Sequence, residues 1–283
     1  MSHVLTRQRA GEQQAPRAPG SERRGWGRMP TALRRTILLI VLIGLWQFYV
    51  SVAGVNPLLV SSPLDVARAL VGGFTEGTLL TSTLTTLKIL FTAMAIGMVG
   101  AAILTTLATW TTIGQDILVL LTSMLNPLPS IAILPLAILW FGLNTTALVV
   151  VIANAVIWPI AINISMGFRT VNPTVMAVGR NIGLSGWKLV KDVLMPAALP
   201  HTISGLKTGW AFGWRTIIAA ELVFGVAGGK GGLGWYINDA RYFMRTPEIF
   251  AGLVTIAIIG IALDLLFNLL ERKTVVKWGM KDG

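Results

Sequence analysis

Six apolar runs, each near the ~20 residues that a helix needs to cross a bilayer, constrain this chain more than any other feature. They lie at about 36–52, 84–108, 117–141, 145–168, 203–223 and 249–270. Charged residues make up 12% of the chain, about half the share found in a soluble domain, and mean hydropathy is +0.71. These values exclude a soluble enzyme, a DNA-binding protein and a secreted scaffold. Cysteine is absent, which removes disulfides, thiolate metal sites and a Cys nucleophile. Histidine occurs only at His3 and His201, so a histidine-based metal site is not expected.

The net charge of +11 raises the question of nucleic acid, and its distribution answers it. Residues 1–35 carry eight Arg without apolar periodicity and read as a basic, disordered tail rather than a signal peptide. With six spans and the N-terminus inside, 16 of the 23 Lys and Arg fall on the inner side and four on the outer. Lys88, Lys207 and Arg215 lie within or at the edge of spans. This asymmetry puts both termini in the cytoplasm and makes the chain an all-α, multi-pass protein of the bilayer, with no nucleic-acid partner. The membrane-spanning domain is expected over 36–271, with a short basic cytoplasmic tail over 272–283.

Two stretches outside the spans carry local order. Ser62-Pro63-Leu64-Asp65 combines an N-cap Ser, a Pro at the first helical position and an acid at the third. It predicts a short amphipathic helix on the outer side. Between the fourth and fifth spans, over 172–196, Asn172-Pro173 starts a helix that runs to Ile182, and Gly183 suits a left-handed C′ position. Ser185 caps a second helix over 186–195 that Pro196 stops. Trp187, Val190 and Leu194 share one face of it. An exposed apolar face on a short helix beside water marks a docking surface; packing of Leu194 on the span ends is the alternative.

From Ala177 to Pro196 the chain reads A-V-G-R-N-I-G-L-S-G-W-K-L-V-K-D-V-L-M-P. This segment resembles the loop signature of the permease subunit of bacterial binding-protein-dependent ABC importers: E-A-A, three residues, Gly, nine residues, I-x-L-P. Gly183 and Pro196 keep the family spacing of thirteen, and Val193 stands at the Ile position. Ala177 replaces Glu, Val178 and Gly179 replace the two Ala, and Met195 replaces Leu. The stretch from Asn126 to Gly142, together with Pro196-Ala197-Ala198-Leu199-Pro200, Ala219-Ala220-Glu221-Leu222, Gly232-Leu233-Gly234-Trp235 and Leu270-Glu271-Arg272-Lys273, is similar to the nitrate/sulfonate/taurine-type subclass.

The resemblance implies the type I importer fold of six transmembrane helices with a cytoplasmic coupling helix. It implies an inner-membrane permease, itself not an enzyme, for a small anionic solute such as nitrate, taurine, another sulfonate or an organic acid. Its implied partners are a second permease copy, two cytoplasmic ATPases and an external solute-binding protein. No cofactor is expected on this chain; ATP and Mg belong on the ATPases. Gly179, Arg180, Gly183, Ser185, Trp187, Val190 and Pro196 are the implied ATPase-coupling residues. A stand-alone secondary transporter or channel is the rival reading.

The chain has no phosphate-binding P-loop. Gly229, Gly231 and Gly234 form a G-x-G-x-x-G with no preceding strand, so a flexible turn before Trp235 is the expectation. In the fifth span Lys207, Trp210, Trp214 and Glu221 share one helical face, and Gly205, Gly209 and Gly213 share another suited to close helix contact. With Arg215 these four are the candidate pathway residues, since ionisable groups at membrane depth face a bundle interior or water. Snorkelling of Lys207 and an interfacial place for Trp210 are the alternatives. Asp264 is expected to pair with a cation of a neighbouring helix. Pro127, Pro129 and Pro135 are expected to break the third span.

Overall fold

The computed structural model describes residues 30–224 and 231–273, so most of the basic tail, Gly229 and Lys230, and the terminal Lys277 and Lys281 lie outside the described residues. The described chain is helical, in the order α1 (Thr31–Val52), α2 (Pro63–Thr75), α3 (Thr78–Trp110), α4 (Thr112–Leu125), α5 (Leu134–Phe141), α6 (Thr145–Arg169), α7 (Pro173–Asn181), α8 (Gly186–Leu189), α9 (Met195–Ala197), α10 (Leu199–Phe224), α11 (Leu233–Tyr242) and α12 (Thr246–Glu271). The first helix begins at Thr31, so the last residues of the expected tail are helical.

Helices α1, α3, α6 and α12 are long and apolar enough to cross a membrane. A bent pair is apolar enough to be a broken fifth crossing or a re-entrant loop: α4 bends by 92° into the segment 130–141, a 3-10 turn over Ser130–Ile133 followed by α5. Pro127 and Pro129 fall in that bend, where rings without an N–H cannot continue a helix. Pro135 sits in the first turn of α5, where its missing N–H costs nothing. Helix α10 has the length, 26 residues, but is not among the apolar helices. Lys207, Arg215 and Glu221 interrupt it, so it crosses only where neighbours satisfy those groups.

The core forms around α6. Helix α10 packs along it, and α3 packs on its other flank. The glycine stripe of α10 is what lets the first pair meet. A Cβ on Gly205 would stand 2.9 Å from Asn163 Cβ and 3.3 Å from Ile160 Cα; on Gly209, 3.0 Å from Ile160; on Gly213, 2.9 Å from Leu90 of α3. Helix α1 stands apart, its apolar residues exposed, with Trp46 against Phe250 of α12 at 5.5 Å between ring centres.

At one end of the bundle lie α2 and α11. Ser62 caps α2 as expected: its Oγ accepts from the Asp65 amide at 3.1 Å and donates to Asp65 Oδ2 at 2.7 Å. Helix α11 corrects the expected loop after the fifth span; it packs on α12, α10 and α3. At the other end α7, α8 and α9 join α6 to α10.

If the stripe sets the α6–α10 approach, Gly205→Val will overpack backbone and destabilise the fold by about 1–3 kcal/mol. Gly44, with nothing within 4 Å of its Cβ position, gives the control. Thermal unfolding of the detergent-purified protein should show a lowered Tm for Gly205→Val and none for Gly44→Val.

Candidate functional site

Helix α10 carries all five candidate pathway residues, and the structure divides them. Lys207 Nζ lies 3.3 Å from Asp264 Oδ1 of α12 and donates to Asn268 Oδ1 at 2.6 Å. Asn268 Nδ2 in turn donates to Asp264 Oδ2 at 3.1 Å, so one cation, one acid and one amide close a small network between α10 and α12. The expected pairing of Asp264 is thereby present. Trp210 and Trp214 stack with ring centres 5.5 Å apart, and Trp210 also meets Phe91 of α3 and Phe267 of α12. Both indoles are buried. Glu221 is 2% exposed and bonded to Thr86 of α3 and the Gly234 amide of α11. The face shared by these four residues is therefore filled by α3, α11 and α12 of the same chain rather than left open.

Arg215 lies elsewhere. It is the exposed member of the five, and among the described residues it takes part in no salt bridge. It borders a cavity of about 330 Å³, lined also by Asn126, Pro127, Pro129, Trp158 and Phe212. The bend between α4 and α5 thus forms one wall and α10 the other. Asn154 fastens the bend to α6: its Nδ2 donates to Ser130 Oγ at 3.3 Å, and its Oδ1 accepts from Trp158 Nε1 at 3.1 Å. Irregular backbone at membrane depth is tolerated where it lines a cavity, which is its situation here. The arrangement offers a guanidinium, an amide, an indole and a phenyl ring to a small solute.

The segment over 172–196 keeps its expected start. Asn172 Oδ1 accepts from the Thr174 amide at 2.8 Å, with Pro173 in the first turn. Gly183 has φ +84°, the Leu184 amide bonds to Gly179 O and the Gly183 amide to Arg180 O, both at 3.0 Å. These two bonds make a complete Schellman stop, which a left-handed glycine permits without Cβ strain. Ser185 holds the N-cap position of α8, but its side chain makes no cap bond. The expected single helix over 186–195 is instead α8, a π turn over Val190–Leu194 and α9, which contains Pro196 and ends one residue beyond it.

The expected apolar docking face is corrected in the same place. Val190 is 2% exposed and Leu194 1%, both packed inward, while Trp187 is 55% exposed. The exposed apolar side chains come mainly from α7: Val175 and Val178, with Ile182 just after it, accompany Trp187. Arg180 is exposed among them. Gly179 is buried, with Val193 and Leu189 at 3.1 and 3.2 Å from where a Cβ would stand, closer than ordinary van der Waals contact.

A second cleft, about 760 Å³, opens between α2, α3, α11 and α12. Arg245 bridges Asp239 and Glu248 in its wall. Tyr236 lines it, and burial, reinforced by Glu248, pushes its phenol up to about 12, so it stays a neutral hydroxyl at physiological pH.

Comparison with known proteins gives this geometry a family. The sequence profile of the inner membrane component of binding-protein-dependent transport systems matches residues 99–276. The chain belongs to that family. It is the permease subunit of an ABC transporter, a transport component rather than a stand-alone carrier. The permease is 31% identical over 245 residues to the taurine transport system permease protein TauC of Escherichia coli, covering 83% of this chain and 86% of that one. It is 29% identical over 264 residues, 92% and 90% of the two chains, to a Bacillus subtilis protein named as the aliphatic sulfonates transport permease SsuC. It is 32% identical over 267 residues, 93% and 95%, to the riboflavin transport system permease protein RibX of Chloroflexus aurantiacus. In fold it is similar to a chain in the crystal structure of an amino acid ABC transporter with histidines, with TM-score 0.56 and 18% identity over 71% of this permease and 94% of that chain.

Reading the permease sequence alone missed Thr86, Gly232 and Gly234, which together enclose the Glu221 carboxylate. A signal for them was present: a buried acid needs donors, and G-G-L-G straddles a helix start.

Proposed function

We propose that this permease forms, with a second copy of itself, the pathway by which a small anionic solute enters the cell across the inner membrane. Candidate solutes are a sulfonate such as taurine, nitrate or an organic acid. ATP and Mg bind two separate cytoplasmic ATPases, which dock on α7 and Trp187. An external binding protein delivers solute to the end that carries α2 and α11. The Lys and Arg distribution supports cytoplasmic termini on both sides of the permease domain.

The observation that carries the anionic class is Arg215. Lys207 has an acid beside it, whereas Arg215 faces the cavity at the proline bend with no salt bridge among the described residues. A guanidinium midway along a crossing helix requires water or an anion. The relatives named for taurine and sulfonates fit that requirement. The relative named for riboflavin shows that overall similarity does not choose the solute, and Trp158 and Phe212 would suit a flat ring in the same cavity.

In vesicles reconstituted with ATPase and binding protein, Arg215→Gln should slow uptake of taurine roughly tenfold or more, the worth of one charged hydrogen bond. Subunit recovery should be unchanged. Normal uptake, or loss of assembly, would contradict the role assigned to Arg215. Orientation is read separately, because the chain has no native cysteine. Val71, 63% exposed on α2, should react as Val71→Cys with an impermeant thiol reagent applied outside whole cells, and failure to react would reverse the orientation.

A further inference from the structure

The Glu221 carboxylate sits at the start of α11, a helix with its own N-cap residue, Gly232, bearing no side chain. The first amides of a helix need acceptors. Here two other helices supply them. Gly234 N–H donates to Glu221 Oε2 at 2.9 Å, and Leu233 N–H donates to Thr86 Oγ at 2.8 Å. The Thr86 hydroxyl in turn donates to the carboxylate, with 3.0 Å to each oxygen. Thr86 is wholly buried on α3 and Glu221 nearly so on α10. The carboxylate oxygens face the positive end of the α11 dipole, which favours acceptors there.

The glycines are cut to this joint. A Cβ on Gly232 would overlap both Glu221 Oε1 and Thr86 Oγ, and one on Gly234 would stand 2.6 Å from Glu221 Cβ and from Ile218 O. Gly232-Leu233-Gly234 is therefore neither a nucleotide fingerprint nor a slack turn. It is the only kind of backbone that can seat α11 on a carboxylate buried between α3 and α10. Glu221 stands six residues beyond Arg215, about 9 Å along the same helix.

We propose that Glu221 is a positioning residue: with Thr86 it locks α11 to α10 and α3, so that the rim helix and the helix bearing Arg215 move as one body when ATP is used. The proposal rests on membership in the ABC permease family and not on the anionic solute. The outer place of α11 follows from the proposed orientation of the permease.

The test uses the permease assembled with its ATPases and two readouts that need no solute. One is amide exchange of residues 231–242. The other is the ATP-dependent change in labelling rate of a Phe212→Cys thiol on α10. Thr86→Val removes the hydroxyl at constant shape; Thr86→Ser keeps it. Thr86→Val and Glu221→Gln should speed exchange in this segment at least about tenfold and abolish the ATP response at Phe212→Cys, with subunits still co-purifying. Thr86→Ser should preserve both readouts. Exchange as slow as in the parent for Thr86→Val would show that the joint does not hold α11. Fast exchange with an intact ATP response would reduce Glu221 to a local cap, and loss of both readouts in Thr86→Ser would remove the hydroxyl from the argument. If Glu221→Gln does not assemble, the two Thr86 variants decide. Because no solute enters, a failed anion reading at Arg215 leaves these results unchanged.

Discussion

The contact of α10 with α6 through Gly205, Gly209 and Gly213 governs the rest of this permease. No hydrophobic force draws two helices together in lipid, so close packing must do it, and small residues allow it. Once the stripe faces α6, the helical period leaves no choice for the other sides of α10. Trp210 and Trp214 turn toward α3 and α12, Glu221 meets α3 and α11, and Arg215 points at the bend between α4 and α5.

Three charged residues on one crossing helix are expensive unless each is accommodated, and each is accommodated differently. Lys207 is neutralised by Asp264 with Asn268 as a third member. Glu221 accepts from a hydroxyl and a backbone amide, and its oxygens face a helix N-terminus. Arg215 alone of the three has no charged partner among the described residues, and it borders the cavity. The polar character that keeps α10 from counting as an apolar span is thus divided between holding the bundle together and facing the solute.

Much of this was legible in the sequence where local rules decide. The apolar runs located the long helices, though among the described residues only four of them, or five with the bent pair, are apolar enough to cross; Ser62, Asn172 and Gly183 announced their helix ends, and the glycine spacing announced a close contact. The rest depended on distant partners. Helix α11 escaped because its cap comes from Thr86, 147 positions from Leu233, and Glu221, 13 positions from Gly234, while Gly232 offers no side chain to recognise. Trp187, Val190 and Leu194 seemed to share a face only under regular α-helical geometry; the π turn over Val190–Leu194 breaks that period, and tertiary packing buries two of the three. The face of Lys207, Trp210, Trp214 and Glu221 was correctly grouped, but periodicity says which residues lie together and not whether a neighbour covers them.

The division of α10 is tested most directly by solvent access along it. The chain lacks cysteine, so single cysteines report without background. In the assembled permease, thiols at Phe212, Arg215 and Ala219 should react with a small aqueous reagent, and thiols at Trp210, Trp214 and Ile217 should not. Reaction along the tryptophan face with protection at Phe212, Arg215 and Ala219 would place the pathway on the opposite side of the helix and contradict the account.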